Sequence, residues 1–188
     1  MAELKRLESD PLRSFKFRVT FGNASTYGLG GMGFMSVSGL GNINIDVIPY
    51  REGGYNTTPH KLPGQADFPP VTFSRGLCVG DNGFMKWMTD LFDYMNGEGT
   101  TVGDSTNDFR GTIQVDVLSH PVKGGVGVPM ASFILYNAWP SAISFTDLDA
   151  GAQSVVVQSM TIVHEGFRFQ VADNLNNTGV RISGAIAA

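Results

Sequence analysis

From Ser154 to Phe169 the chain alternates almost without interruption. Val155, Val157, Ser159, Thr161 and Val163 fall on one side, and Val156, Gln158, Met160 and Ile162 on the other. Alternation with period two marks an extended strand, because successive side chains leave opposite faces. At about 3.3 Å per residue the segment would reach about 50 Å, where a common strand holds about five or six residues. Such a strand outgrows a small sandwich or bends from one sheet into another. Both faces are mixed in polarity, so each is expected to be covered by something.

Other stretches carry the same period. Phe15, Phe17, Val19 and Phe21 alternate with Lys16, Arg18 and Thr20, a half-buried strand entered through Asp10-Pro11. Phe34 to Val37 is extended. Ile43, Ile45 and Val47 alternate with Asn44 and Asp46 until Pro49 ends the strand or confines it to an edge. Val71, Phe73 and Arg75 read as a short strand, Ile113, Val115 and Val117 as another, and Ala131 to Trp139 as one closed by Pro140. The glycine-rich stretch 22–33 reads as a hairpin tip, and the Pro- and Gly-rich stretch 51–70 as a long loop.

One segment has the helical period instead. Phe84, Trp87, Met88, Leu91, Phe92 and Met95 recur at i, i+3, i+4, i+7, i+8 and i+11, with Lys86, Thr89, Asp90 and Asp93 opposite. Asp81 or Asn82 caps it and Gly97 stops it. Phe84, Trp87, Met88, Leu91, Phe92 and Trp139 are expected to pack in the core. The predicted fold is mainly β, an antiparallel barrel or sandwich with one flanking amphipathic helix. It forms one domain over 1–188, with an N-terminal arm at 1–13, polar loops at 96–108 and 119–129, and an Asn/Gly/Ala-rich arm at 172–188.

Composition limits what such a domain does. Charged residues make up 16% of the 188, against roughly 25% in a typical soluble domain. Glycine numbers 24, where about 13 would be usual. A free monomer relies on charge for solubility, so low charge with much glycine suggests a surface covered by other copies or partners. The net charge of −4 and the lack of a dense Lys/Arg run argue against binding nucleic acid through its phosphates. No signal peptide, membrane anchor or transmembrane run is expected. The single cysteine, Cys78, reads as a small apolar residue between Leu77 and Val79.

Catalytic patterns fail on context. Gly28-Leu29-Gly30-Gly31-Met32-Gly33 spells G-x-G-x-x-G with Glu52 downstream, but Phe34 to Gly39 follows as strand and turn, not as the helix a dinucleotide site requires. His60, His120 and His164 are scattered, without metal-ligand spacing. Asp147 and Asp149 flank Leu148 in a turn context, and nothing separates an acid from a base. No enzyme, metal or cofactor is expected.

The unusual local features are loop motifs that pair charge with permissive backbone: Tyr50-Arg51-Glu52-Gly53-Gly54, Lys61-Leu62-Pro63-Gly64 and Ser74-Arg75-Gly76. Glycine beside a charge lets another chain approach closely while an ion pair fixes register. Together with Phe15-x-Phe17, Val37-Ser38-Gly39-Leu40, Val71-Thr72-Phe73, Phe84, Trp87, Tyr136-Asn137-Ala138-Trp139-Pro140, Ser141, Leu148 and His164-Glu165-Gly166-Phe167, these motifs give the chain an order that resembles the tail-tube family of long-tailed phages and contractile injection systems. The resemblance runs from about residue 10 to 168.

It implies hexameric rings stacked into a hollow tube, each copy adding long strands to a shared inner barrel. Tyr50, Arg51, Glu52, Gly53, Gly54, Lys61, Leu62, Pro63, Gly64 and Arg75 would then lie at ring and subunit contacts. The implied role is structural: a virion tail tube, assembled in the host cytoplasm, that conducts a phage genome. Sheath, baseplate and tail-terminator proteins are the implied partners, and DNA is a non-specific cargo. The alternatives are the inner tube of a contractile injection system carrying protein effectors and, in another class, a monomeric ligand-binding β-module. The longer stretches 22–33, 96–108 and 119–129 favour the phage tube and would decorate its exterior or touch a sheath. Six copies of a chain with net charge −4 would make an acidic ring, with Asp46, Asp116 and Glu165 as candidates for the lumen.

Overall fold

The computed structural model describes residues 11–54, 57–80, 82–97, 109–119, 127–151, 154–171 and 182–183. The elements are β1 (Phe17–Phe21), α1 (Ala24–Tyr27), β2 (Ser36–Ser38), β3 (Asn44–Tyr50), β4 (His60–Asp67) and β5 (Val71–Gly76). They continue with α2 (Gly83–Met95), β6 (Gly111–Leu118), β7 (Pro129–Phe145), β8 (Val157–Val163), β9 (Gly166–Val171) and β10 (Ile182–Ser183). Asp81, His120 and most of the predicted arms and of the loops 96–108 and 119–129 lie outside the described residues.

Every strand pairing is antiparallel. One sheet runs β1-β6-β7-β9-β10 and a second runs β2-β5-β8-β7, so β7 belongs to both. The path ends at β1 and β2 without closing, which makes the fold sandwich-like rather than a barrel. Among the described residues β3 and β4 pair only with each other, as a separate hairpin.

The longest strand is not the one the alternation singles out. β7 has 17 residues and runs through Pro140, whereas 154–169 is divided into β8 and β9 at His164-Glu165. Both lines bend at the same height. Tyr136 pairs with Gly166 and Trp139 with Val163, and between them Asn137 takes φ 49° and donates from Nδ2 to Glu165 Oε2 at 2.6 Å. Pro140 does not end β7 because the register shifts between Pro140 and Ala142, and an irregularity tolerates a residue without an N–H. The expected bend from sheet to sheet is therefore present, in two neighbouring lines.

Inward side chains of both sheets meet α2. Phe21 stands with its ring centroid 6.2 Å from Phe73, 6.0 Å from Phe84 and 6.1 Å from Trp87, above Ile113, Val115, Leu135, Met160 and Ile162. The Trp87 indole is 1% exposed and donates from Nε1 to the Phe109 carbonyl at 2.7 Å, satisfying its one polar atom. α2 buries Phe84, Trp87 and Leu91 and leaves Met88 half-buried. Phe92, expected in the core, is 55% exposed because the buried stripe is narrower than the apolar one. Trp139 is half-buried, with its ring 6.4 Å from that of Phe109.

Two more expectations change. The stretch 22–33 is not a hairpin tip: it holds α1 and inserts Tyr27, stacked on Trp87 at 5.8 Å, and Leu29 into the core. Gly39 has φ +86° where the chain crosses Pro70, and a Cβ there would stand 2.7 Å from the Pro70 carbonyl oxygen, so Val37-Ser38-Gly39 requires its glycine.

Candidate assembly interface

The segment 51–70 is not one long loop. Residues 60–67 form β4, which returns along β3 with Tyr50 opposite His60, Pro49 opposite Lys61, Ile48 opposite Leu62 and Val47 opposite Pro63. Register slips between Ile45 and Val47, where the single residue Asp46 stands opposite two residues of β4, Gly64 and Gln65. Gly64 fits against this irregularity: a Cβ there would meet Asp46 Cβ and the Asp46 carbonyl oxygen, each at 3.0 Å. The glycine read as a joint between chains is required first by the hairpin itself.

The pairing brings Tyr50, Lys61, Leu62, Pro63 and Gly64 onto one hairpin, with exposed Arg51 and Glu52 leading into its tip and Gly53 and Gly54 turning it. Gly54 has φ +96°. The alternation of β3 does not divide it into a buried and an exposed face. Ile45, Val47, Ile48, Tyr50 and Leu62 are each between 53% and 56% exposed, and every residue of β3 is exposed. Ile45 and Val47 leave one face of the hairpin and Ile48, Tyr50 and Leu62 the other. A lone two-stranded hairpin is marginal in water, and large exposed apolar side chains on both faces mark it as an interaction element.

Arg75 does not join this surface. β5 alternates buried and half-buried, which puts Arg75 on the core side with Val71 and Phe73. It is 2% exposed, donates from Nε and Nη2 to Gln158 Oε1 at 3.0 and 2.9 Å, and lies 4.5 Å above the Phe84 ring. Its charge is spent inside the protomer, so it is withdrawn as a ring contact.

The three acidic lumen candidates do not share a surface. Asp116 is 1% exposed and accepts from Gln114 Nε2 at 2.8 Å, Ser132 Oγ at 2.6 Å and Arg18 Nη2 at 3.2 Å. Burial pushes its carboxyl upward, but the hydrogen bonds from Gln114, Ser132 and Arg18 and the Arg18 charge outweigh this and hold it below the ordinary aspartate value. So enclosed, Asp116 cannot line an open lumen. Asp46 is exposed on the hairpin, and Glu165 is exposed at the β8–β9 corner, 3.8 Å from Arg110 Nη2. Nearby, His164 is 4% exposed between Phe68 and Phe167, with ring centroids at 5.9 and 6.2 Å. Burial lowers its pKa against the opposing backbone hydrogen bonds at Gly166 and Pro69.

Open sheet edges complete the geometry: besides β1, which pairs only with β6 among the described residues, two belong to the second sheet. β7 lies between β6 and β9 from Ala131 to Tyr136, but among the described residues only β8 lies beside it from Trp139 to Phe145, and β2 pairs only with β5. Unpaired edges are templates for another strand.

Residues 13–168 match the family model described as "T4-like virus tail tube protein gp19". The chain belongs to that tail tube family. Among curated proteins no relative matches the sequence. Of the solved structures similar to this tail tube protein, the cap of the anti-feeding prophage, described as its tube-terminating cap, has 26% identity and a TM-score of 0.63, covering 87% of this chain and 93% of that one. The sheath–tube complex of an extracellular contractile injection system in its extended state gives 23% and 0.64, over 91% and 99%. The anti-feeding prophage baseplate gives 20% and 0.63, over 85% and 95%. The last two, at lower identity, show the shared fold.

Proposed function

We propose that this tail tube protein forms hexameric rings that stack into a hollow tube, with the β3–β4 hairpin as the ring-to-ring joint and no catalytic role. The observation that carries the reading is the hairpin: a tail tube protein presents five large apolar side chains, each about half exposed, on a two-stranded arm with no strand beside it among the described residues. Packing against the next ring would cover them. Arg51, Glu52 and Lys61 then fix register at the rim of the contact, where charge sets orientation more than affinity.

Within a ring, the second sheet supplies the joint. Its four strands alternate in direction, so β7 of one copy and β2 of a rotated neighbour meet antiparallel. Strand addition at these edges would close the sheets into a common inner barrel. The tube conducts a phage genome as a cargo held by no specific contact, in a virion tail assembled in the host cytoplasm. Sheath, baseplate and tail-terminator proteins are its partners. One observation favours a second reading of the cargo: the similar solved structures come from injection systems, where an equivalent tube would carry protein effectors.

Electron microscopy with sedimentation of the purified protein tests the proposal. Rings or cylinders that pellet far ahead of a 20.2 kDa protomer support it. A stable monomer at every concentration overturns it and returns the chain to the class of monomeric ligand-binding β-modules.

A further inference from the structure

The second sheet has an unusual outer face. Its inner face holds Val71, Phe73, Met160 and Ile162, all fully buried. On the other face the register aligns Ser36, Ser74, Ser159 and Ser144 in one row across β2, β5, β8 and β7, and Ser38, Thr72, Thr161 and Ala142 in the next. Ser74 Oγ and Ser159 Oγ are 3.0 Å apart and Thr72 Oγ1 and Thr161 Oγ1 3.5 Å, so the central hydroxyls bond across the strands. None of the eight positions is charged. The outer face of the first sheet differs, carrying Arg18, Gln114, Asp116 and Ser132 in one hydrogen-bonded cluster.

We infer that these two hydroxyl rows face the lumen of the tube and give its wall an uncharged, hydroxyl-lined belt. The inference rests on the tube reading and corrects the acidic lumen that net charge alone implies. The second sheet has an open edge at each end, β2 on one side and the far half of β7 on the other, so edge-to-edge closure of this sheet around a ring turns one of its faces toward the axis. The other face is filled by the protomer's own core and by α2. That leaves the hydroxyl face on the inside, continued from copy to copy by the rows that end at Ser36 and Ser144. Hydroxyls bind water as donors and acceptors and project no long-range field. A charged cargo passing this belt is neither held by ion pairs nor repelled. Short side chains also keep the bore smooth, since no long side chain from these rows reaches into it.

The test uses thiol accessibility in the full chain, with the exposed native Cys78 first replaced by serine. Ser159→Cys and Ser74→Cys are made separately and labelled with N-ethylmaleimide or with a maleimide on a long polyethylene glycol chain. Dispersed protomers should react with both reagents. In assembled tubes N-ethylmaleimide should still react, while the bulky reagent should slow by roughly tenfold or more, because a closed barrel has no side entry. Undiminished reaction of tubes with the bulky reagent puts the face outside and overturns the inference. Protection from both reagents buries it between copies and also overturns it. Ser159→Glu gives an independent reading: a charge facing water leaves tube formation intact, whereas loss of tubes from a normally folded protomer refutes the lumen placement. Failure of the Cys78→Ser protein itself to form rings or tubes is a different result, which rejects the tube reading and this inference with it.

Discussion

Replacing Ile48 and Leu62 together by serine should weaken assembly strongly and folding hardly at all. The two residues face each other across the hairpin and are 54% and 53% exposed, so about half of each side chain is still open to water in the protomer. Full burial of such a side chain stabilises by about 1.5–3 kcal/mol, which leaves about 1 kcal/mol each to be gained in a joint. The pair therefore contributes about 2 kcal/mol, and at tenfold per 1.4 kcal/mol its loss lowers the association constant of a copy by roughly thirtyfold. The assay is the concentration at which pelletable tubes first appear, measured beside urea denaturation of dispersed protomer. Assembly should begin at a concentration higher by roughly that factor, with protomer stability changed by no more than about 0.5 kcal/mol. An unchanged assembly threshold would refute the hairpin as a joint. A large loss of protomer stability would show instead that Ile48 and Leu62 belong to the protomer's own packing.

Arg51→Ala or Glu52→Ala should shorten tubes and make their stability less sensitive to salt, with protomer melting unchanged; equal length and salt response would remove both residues from the joint. Arg75→Met should destabilise the protomer by about 1–3 kcal/mol by stranding the buried Gln158 carbonyl, and Arg75→Met with Gln158→Leu should recover part of that loss in urea titrations. A variant that folds normally but fails only in assembly would put Arg75 back at the interface. Acid should act in two steps. The lowered pKa of His164 costs stability as pH falls below about 6.5, where the unfolded chain takes up a proton that the folded chain resists. Asp116, with its pKa also lowered, contributes stability above about pH 3.9 that is lost as pH falls toward its folded value. In protomer stability measured against pH, His164→Leu should flatten the upper limb and Asp116→Asn the lower one; unchanged slopes refute the assignments.

Much of the fold is legible in the sequence because period and burial agree. The helical spacing of Phe84, Trp87 and Leu91 meets a core that needs those three residues, and the alternations at β1, β5 and β6 are matched by real pairings. Reading fails where one residue type has two uses. Pro140 is a strand breaker in isolation, yet β7 carries it at a register shift. Pro63 and Gly64 hide β4, whose irregular pairing with Val47 and Asp46 accommodates both. Arg75 was in principle readable. Its place at i+2 from Phe73 and i+4 from Val71 puts it on the core face, and only its charge argues for a joint. The hydroxyl rows have a signal too, since Ser36-x-Ser38, Thr72-x-Ser74 and Ser159-x-Thr161 share a spacing. Their alignment across strands depends on long-range register, which local pattern does not contain. Nor does local pattern tell that the β3 alternation faces water on both sides, because period two reports the direction of each side chain and not what lies across from it.

A cryo-EM reconstruction of the purified, concentrated protein tests assembly most directly. The expected map is a hollow tube of stacked rings, with residues 44–67 of each copy packed against the adjacent ring, four strands from each copy in the inner barrel and Ser159 facing the bore. A population of single protomers at every concentration, with the hairpin in solvent and β2 and the far half of β7 still unpaired, would contradict it.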